Sequence, residues 1–336
     1  MVLRSLPAPN TVDSAPRVRA PRLFPIPATE LFFFRGARII TNDGVVISPD
    51  NRVFAEFTYV DEAGGIDSHS VFRRRRFPRA QPLRGWYATL CYPSSSAYYH
   101  WVLESLPRIR LLEPHLQSLD GVFVPTQMEP AMFESLILLG FKESQLIRLE
   151  HSSHFAPEHL LVPKYCAGLD IPAWVPEYLQ SKLFPEGPTA APRTRRIYIS
   201  RADAGKRRVT NEAALRAILD HHGFEIVRLR ELTFRSQAEL FHSADVVIGA
   251  HGAGLANAIF CQPGATLVEL LPSPQVPPHV FFALAGAARL AYWYLFGSPS
   301  AAASVGADPV HLDFEVDPDE LARTISAVLD HISVQR

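Results

Sequence analysis

Cysteine is scarce in this chain: 336 residues carry three, Cys91, Cys166 and Cys261, widely spaced and odd in number, which excludes a disulfide framework and fits a reducing compartment. Long apolar runs are absent as well. No stretch of about 18 uncharged apolar residues exists to cross a bilayer, so no integral membrane segment is expected. Net charge is nearly absent: 33 lysines and arginines against 34 aspartates and glutamates leave a formal −1, too little field to hold a polyanion, and nucleic acid is not an expected partner. The sequence has no internal repeat of the length that builds solenoids or propellers, no His-Glu-x-x-His and no Cys/His cluster at zinc spacing, so no metal site is expected. The first residues are rich in proline and arginine but have no continuous apolar core, which predicts an extended or disordered segment over 1–30, no secretory signal and a cytoplasmic chain.

What is present is the composition of a soluble globular protein, 47% hydrophobic and 20% charged, at a length that suits about two domains. Apolar runs at 38–41 and 45–47 flank Asn42-Asp43-Gly44, a hairpin signal. A helix is expected over 98–112, with Val102, Leu106 and Ile109 on one face and Pro107 bending it. Strands at 121–125, 145–149 and 160–163 then alternate with helices at 129–139 and 176–184, the order of an open, mostly parallel sheet. Residues 185–194 hold three prolines and a glycine and read as a linker between a domain at 31–184 and another at 195–336.

The second domain repeats the alternation: strand 197–200, helix 211–222, strand 226–229, and a helix over 236–244 opened by a Ser236/Glu239 capping box. Residues 244–271, ADVVIGAHGAGLANAIFCQPGATLVELL, read as strand, glycine turn, short helix and strand, a βαβ unit. A helix at 280–290, a strand at 292–296 and a terminal helix at 318–331 complete the domain. Asp317-Pro318-Asp319 reads as a helix cap rather than a metal site.

Three clusters carry candidate chemistry. In the βαβ unit, Gly252, Ala253 and Gly254 would let a phosphate approach backbone N–H groups at a helix start, with His251 in the loop. Glu269 at the end of the second strand suits a ribose diol, and Asn257 stands where a dinucleotide fingerprint has its third glycine. Plain turn chemistry is the alternative reading. The second cluster is seven basic residues between Arg193 and Arg208 against the single acid Asp203; Arg201, Lys206, Arg207 and Arg208 would meet a phosphate at the sheet edge, and a solvated loop is the alternative. The third is His100 and Glu104, four apart on one helix face, where an imidazole and a carboxylate can touch and form an acid/base pair or merely a solvated contact. Separately, Arg73–Arg76 reads as a solvated face, with an anionic lipid or polysaccharide surface as the other reading, so peripheral association with the inner face of a membrane stays open.

The stretch YISRADAGKRRVTNE, followed by ADVVIGAHGAGLANAIFCQPGATLVEL, resembles the catalytic domain of glycosyltransferase family 61, whose bacterial members are often labelled capsular polysaccharide biosynthesis proteins. The resemblance runs over about 98–271 and implies an α/β, GT-B-like architecture of two Rossmann-like domains facing a central cleft. It implies an inverting, metal-independent transfer of a hexosyl or pentosyl group from a nucleotide sugar to a hydroxyl of a glycan acceptor. No cofactor is implied beyond that nucleotide-diphosphate donor. Glu104 would be the general base, oriented by His100, and the donor set would be Arg201, Lys206, Arg207, Arg208, His251, Gly252, Ala253, Gly254, Asn257 and Glu269. Two other classes fit the glycine turn: an NAD-dependent oxidoreductase, and a non-catalytic glycan-binding module on the same fold.

Overall fold

The computed structural model describes residues 29–54, 57–58, 66–92, 94–164, 171–187, 192–300 and 308–335, grouped in two compact units at 29–164 and 171–335. The expected extended segment at 1–30 lies almost wholly outside these residues, as do Cys166 and the middle of the expected linker, 188–191.

The first unit is built on a mixed sheet: β1 (Leu31–Arg35), β2 (Arg38–Ile40), β3 (Val45–Ile47), β4 (Gln81–Thr89), β5 (Gly121–Pro125), β6 (Leu146–Leu149) and β7 (His154–Pro163). The order is β3-β2-β7-β4-β5-β6, with β1 also paired to β7. β4, β5, β6 and β7 run parallel, as expected, but β1 and β2 lie antiparallel on the free side of β7, so the sheet is less uniformly parallel than the alternation implied. The 38–47 hairpin forms with Ile39 opposite Val46, closed by a bond from Gly44 N–H to the Thr41 carbonyl at 3.2 Å. A side chain could not replace the hydrogen at Gly44, whose Cβ would come within 2.5 Å of the Cys91 Cβ. The core under this sheet includes Ile39, Tyr87, Phe123, Leu149, Leu160 and Val162.

β4 is the central element that local sequence conceals. Pro82, Arg84 and Gly85 look like loop chemistry, and the register with β7 shifts between Leu83 and Trp86, where Gly85 takes φ +98°. Pairing on both sides overrides that local preference, through Tyr87–Thr89 against Gly121–Phe123 and Trp86–Ala88 against His159–Leu161.

The second unit is a fully parallel five-stranded sheet of β8 (Arg195–Ile199), β9 (Phe224–Val227), β10 (Ala244–Ala250), β11 (Thr266–Leu271) and β12 (Ala291–Phe296), ordered β12-β11-β10-β8-β9. The chain starts at β8, next to one edge, goes out to β9, then returns past β8 to β10 and on to β12. The reversal makes the carboxyl ends of β8 and β10 a topological switch point, where open α/β sheets bind ligands. One face of the sheet is packed by the terminal helix Pro318–Gln335, whose Leu321, Ile325 and Val328 join Tyr198, Ile248 and Val268 in the core.

Two expectations are corrected here. The helix expected over 236–244 spans Phe234–His242, and its cap is Thr233, whose Oγ1 accepts from Ser236 N–H at 3.2 Å; Ser236 lies inside the first turn. The helix expected at 176–184 to close the first domain spans Trp174–Leu183 and is part of the second unit. Its buried Gln180 donates to the carbonyls of Ile259, at 2.7 Å, and Cys261, at 3.1 Å. Those carbonyls need partners because Ala253–Phe260, the crossover after β10, is a 3₁₀ stretch. His242 contributes to the same end, its Nδ1 lying 3.1 Å from the Phe260 carbonyl.

Candidate functional site

In the second unit, the loops leaving β8 and β10 bring the basic cluster and the glycine turn together. Arg201 follows β8 and lies across Gly252, where an added Cβ would stand 2.3 Å from Nη1 and 2.7 Å from Cζ of the guanidinium. Gly252 is extended, so its requirement for glycine is this close approach rather than backbone strain. The Arg201 Nε and Nη2 donate to the carbonyls of Arg207 at 3.3 Å and Lys206 at 3.1 Å, which fixes the guanidinium in the plane of the loop. Arg207 itself is half-buried at φ +59°, a left-handed backbone, and its buried Nε finds no hydrogen-bond partner among the described residues.

The two guanidinium groups crowd each other. Burial, and after it the like charge of Arg207, hold Arg201 below its ordinary pKa, and nearby Asp203 and Asp313 offset only part of that. Burial also lowers Arg207, with partial relief from Glu269. Two half-buried cations at a sheet edge, short of acidic compensation, are stabilised by an incoming anion.

The other predicted basic residues are placed differently. Arg208 is tied to Asp313, with Nε and Nη2 at 2.9 and 2.6 Å from Oδ2 and its backbone N–H at 2.8 Å from Oδ1, so it braces the loop against the strand at 314–315 rather than reaching for a ligand. Lys206 is exposed, with Nζ 3.3 Å from Nδ1 of His311.

His251 and Glu269 do meet, but not in the expected roles. Glu269 is fully buried, with one oxygen 2.5 Å from His251 Nδ1 and the other accepting from the Tyr292 hydroxyl. Both oxygens are engaged inside the protein, which leaves none for a ribose diol. The phenol keeps its proton because burial and the adjacent carboxylate push Tyr292 well above its ordinary value. The strand register explains the triad: Gly249 of β10 lies opposite Glu269, and Tyr292 of β12 opposite Leu267, so Glu269 and Tyr292 are diagonal neighbours on one face. His251 bonds through its backbone N–H to the Leu270 carbonyl at 2.8 Å and presents Nε2 as the ring nitrogen that Glu269 does not engage.

Asn257 is likewise turned inward. It is fully buried and donates to Gln237 Oε1 at 2.8 Å and to the Gly254 carbonyl at 3.2 Å, so its work is to fasten the 3₁₀ crossover to helix Phe234–His242. Ala253 and Gly254 are half-buried at the start of that crossover.

In the first unit, His100 Nδ1 lies 2.8 Å from Glu104 Oε2, the contact their spacing allows. The segment 98–112 is not a uniform α-helix. Trp101–Ser105 is a π-turn closed by Leu106 N–H on the Trp101 carbonyl, and Leu106–Arg108 is a 3₁₀ turn around Pro107. The proline supplies no N–H, and the widened turn before it absorbs the misfit. Glu104 sits in that widened turn at 4% exposure, while 38% of the His100 side chain reaches solvent. The carboxylate is the more deeply buried partner, and Nε2 is the ring nitrogen of His100 that Glu104 does not engage.

Sequence reasoning missed Tyr292 and Asp313. Tyr292 sits in an apolar strand run that reads as core, and Asp313 is 105 residues from the arginine it binds, so neither leaves a local signal. Among the described residues, no group of three or more His, Cys, Asp or Glu could hold a metal ion, and no helix is long and apolar enough to cross a membrane. The family model described as Glycosyltransferase 61 matches residues 98–268, just over half of the chain, a span that takes in His100, Glu104, the basic loop and the glycine turn and stops one residue short of Glu269. No curated protein matches the chain.

Proposed function

This chain belongs to glycosyltransferase family 61, and from that premise we propose that it moves a single sugar from a nucleotide-diphosphate donor to a hydroxyl of a glycan acceptor, with inversion at the anomeric carbon. The observation that carries the reading is Arg201 laid across Gly252 at the switch point of the second unit's sheet, with Arg207 beside it. A diphosphate has the charge this pair lacks, and guanidinium groups match its oxygens in bidentate geometry.

In the proposed step, the acceptor oxygen forms its bond to the anomeric carbon as the bond from that carbon to the phosphate oxygen breaks. The negative charge passes to the departing diphosphate, where Arg201 and Arg207 stabilise it without requiring a metal ion. His251, oriented by Glu269 and Tyr292, offers Nε2 to the donor. The acceptor proton goes to His100 Nε2, and Glu104 holds the imidazole in the tautomer that can take it. The exposure of the pair supports this order of roles over Glu104 as the base, since the carboxylate at 4% exposure is the more deeply buried of the two. The reaction needs donor and acceptor on one path, which is what a GT-B arrangement of two Rossmann-like domains around a cleft would supply. The reading extends to bacterial capsule or other surface polysaccharide built from the cytoplasmic side.

The test is a transfer assay of the full chain against a panel of UDP-, GDP- and TDP-sugars with mixed oligosaccharide acceptors, read by mass spectrometry. A product heavier by one sugar residue, formed equally with and without EDTA, is expected. A chain that binds NAD and oxidises a substrate, or one that binds glycans with no turnover of any nucleotide sugar, would contradict the proposal.

A further inference from the structure

The arginine run, which none of the roles above employs, lies in the first unit between the β2–β3 hairpin and β4. Residues 72–79, FRRRRFPR, hold five arginines, two phenylalanines and no acid, in a chain whose formal net charge is −1. A 3₁₀ turn at Ser70–Arg73 gives way at Arg74 to extended backbone, φ −79° and ψ 123°, which leads on toward β4. Three contacts fasten this segment. Val71 is buried with Ile40, Val45 and Ile47 of the hairpin. Arg74 Nη1 donates to the His151 carbonyl at 2.8 Å, and the Pro78 carbonyl accepts from Nδ1 of buried His154 at 2.7 Å.

Between and beside those points the remaining side chains stand in solvent. Arg73, Arg75, Arg76 and Arg79 are exposed, and so are Phe72 and Phe77, at 50% and 37%. None of these four arginines is in an ion pair among the described residues, so their charge is met by water and salt alone.

We propose that this strap is a docking surface that seats the protein on an anionic lipid bilayer. The surplus of cation and the two exposed rings have to be explained together. A leaflet of anionic lipids presents phosphate oxygens densely enough for several guanidinium groups to bind at once, and clusters of about 4–8 basic residues are of the size that recognises such a leaflet. Any polyanion would satisfy that much. A phenyl ring, however, has no polar atom and gains most where it leaves water, about 5–10 Å into the boundary between headgroups and acyl chains. Arginine stems can lie along that boundary while their guanidinium groups stay at the phosphates. A soluble polyanion would take up the arginines without giving the rings an apolar medium, and a net charge of −1 offers nucleic acid no wider field to follow. The three anchors also matter to affinity, because a segment already fastened to the fold loses less freedom on binding than a free tail would.

The full chain should be mixed with vesicles of phosphatidylcholine and of phosphatidylcholine with phosphatidylglycerol, and the bound fraction read by co-sedimentation, as wild type, Arg75→Glu/Arg76→Glu and Phe72→Ser/Phe77→Ser. Wild type is expected to bind the mixed vesicles, to pass over pure phosphatidylcholine, and to bind less as salt is raised. The arginine variant should bind at least about tenfold more weakly, and the phenylalanine variant about three- to tenfold more weakly. All four positions are exposed, so melting temperature and UDP affinity should be unchanged in both variants. Equal binding to the two kinds of vesicle, no binding to either, or mixed-vesicle binding that Phe72→Ser/Phe77→Ser leaves intact would overturn the proposal. So would a single-stranded oligonucleotide or a uronic-acid glycan that binds wild type more tightly than the mixed vesicles do and loses affinity in both variants, which would assign the surface to that polyanion instead.

Discussion

The two units balance charge differently at the same place in their sheets. At the carboxyl edge of the second unit, Arg201 and Arg207 are half-buried, Asp203 and Asp313 offset the charge of Arg201 only in part, and the carboxylate near Arg207, Glu269, is locked between His251 and Tyr292. At the carboxyl edge of the first unit, Asp43 and Glu150 line a cavity with cations at its wall, Arg74 bonded to His151 and Arg108 over the ring of Tyr92. Parallel strands deliver loops to one edge in both cases, so topology alone does not separate the two functions. The balance of charge does: the second unit's edge holds half-buried cations only partly offset by acids, the feature on which the proposed diphosphate site rests, whereas at the first unit's edge acids and cations stand together.

The largest expected effect concerns the proton acceptor, which neither edge supplies. His100→Ala should lower turnover by about 10²–10⁴, the usual worth of a positioned base, with nucleotide affinity unchanged. Added imidazole should restore part of that loss if the ring is the base. No rescue by imidazole, alongside an inactive Glu104→Gln, would return the role to the carboxylate.

Next in size is the cationic edge. Arg201→Ala should weaken UDP binding by about 1.5–3 kcal/mol, the range for a lost charged hydrogen bond, and Gly252→Ala should act in the same direction because its Cβ has no room beside the guanidinium. Arg208→Ala sharpens the comparison. Its partner is Asp313, so UDP affinity should stay within about twofold even though the residue belongs to the same basic run. An equal loss from Arg201→Ala and Arg208→Ala would mean that the cluster acts as diffuse charge.

A stability effect of similar size separates structure from binding inside the glycine turn. Asn257→Ala removes the partner of Gln237 and of the Gly254 carbonyl in a buried site and should lower stability by about 1–3 kcal/mol in chemical denaturation, without a change in UDP affinity per folded molecule. Tighter or weaker nucleotide binding with normal stability would restore Asn257 to the donor site.

The smallest effect is on pH. Burial lowers the pKa of His242 below its ordinary value near 6.5, so the folded state binds the proton less readily than the unfolded chain. Its contribution to stability is present above about pH 6.5 and is lost as pH falls below that value. Melting temperature should therefore drop on acidification from pH 7 to pH 5.5, and His242→Gln should reduce that slope. A slope that His242→Gln leaves unchanged would assign the acid sensitivity to other groups.

The same contrast governs how much could be read in advance. The second unit was legible because its strands are continuous apolar runs with glycine and proline at the turns, and the loop YISRADAGKRR and the turn GAHGAG each point to the sheet edge on local chemistry. The first unit hides β1 in an aromatic run and β4 behind Pro82 and Gly85, since both become strands only through long-range pairing with β7. Contacts between side chains followed the same division. His100 with Glu104 is a spacing of four on a helix and could be anticipated, whereas Glu269 with Tyr292, Arg208 with Asp313 and Gln180 with Ile259 join distant parts of the chain. Burial also decided roles that spacing could not: Glu104, Asn257 and Glu269 have the right chemistry to meet a ligand and lie too deep to do so.

The most direct test of the central claim is an equilibrium titration of UDP into the full chain as wild type, Arg201→Ala, Gly252→Ala and His100→Ala. Equal affinity for wild type and His100→Ala, with at least tenfold weaker binding in Arg201→Ala and Gly252→Ala, is the predicted result. Undiminished binding in Arg201→Ala, or its loss in His100→Ala, would contradict the assignment of the nucleotide to the cationic edge of the second unit.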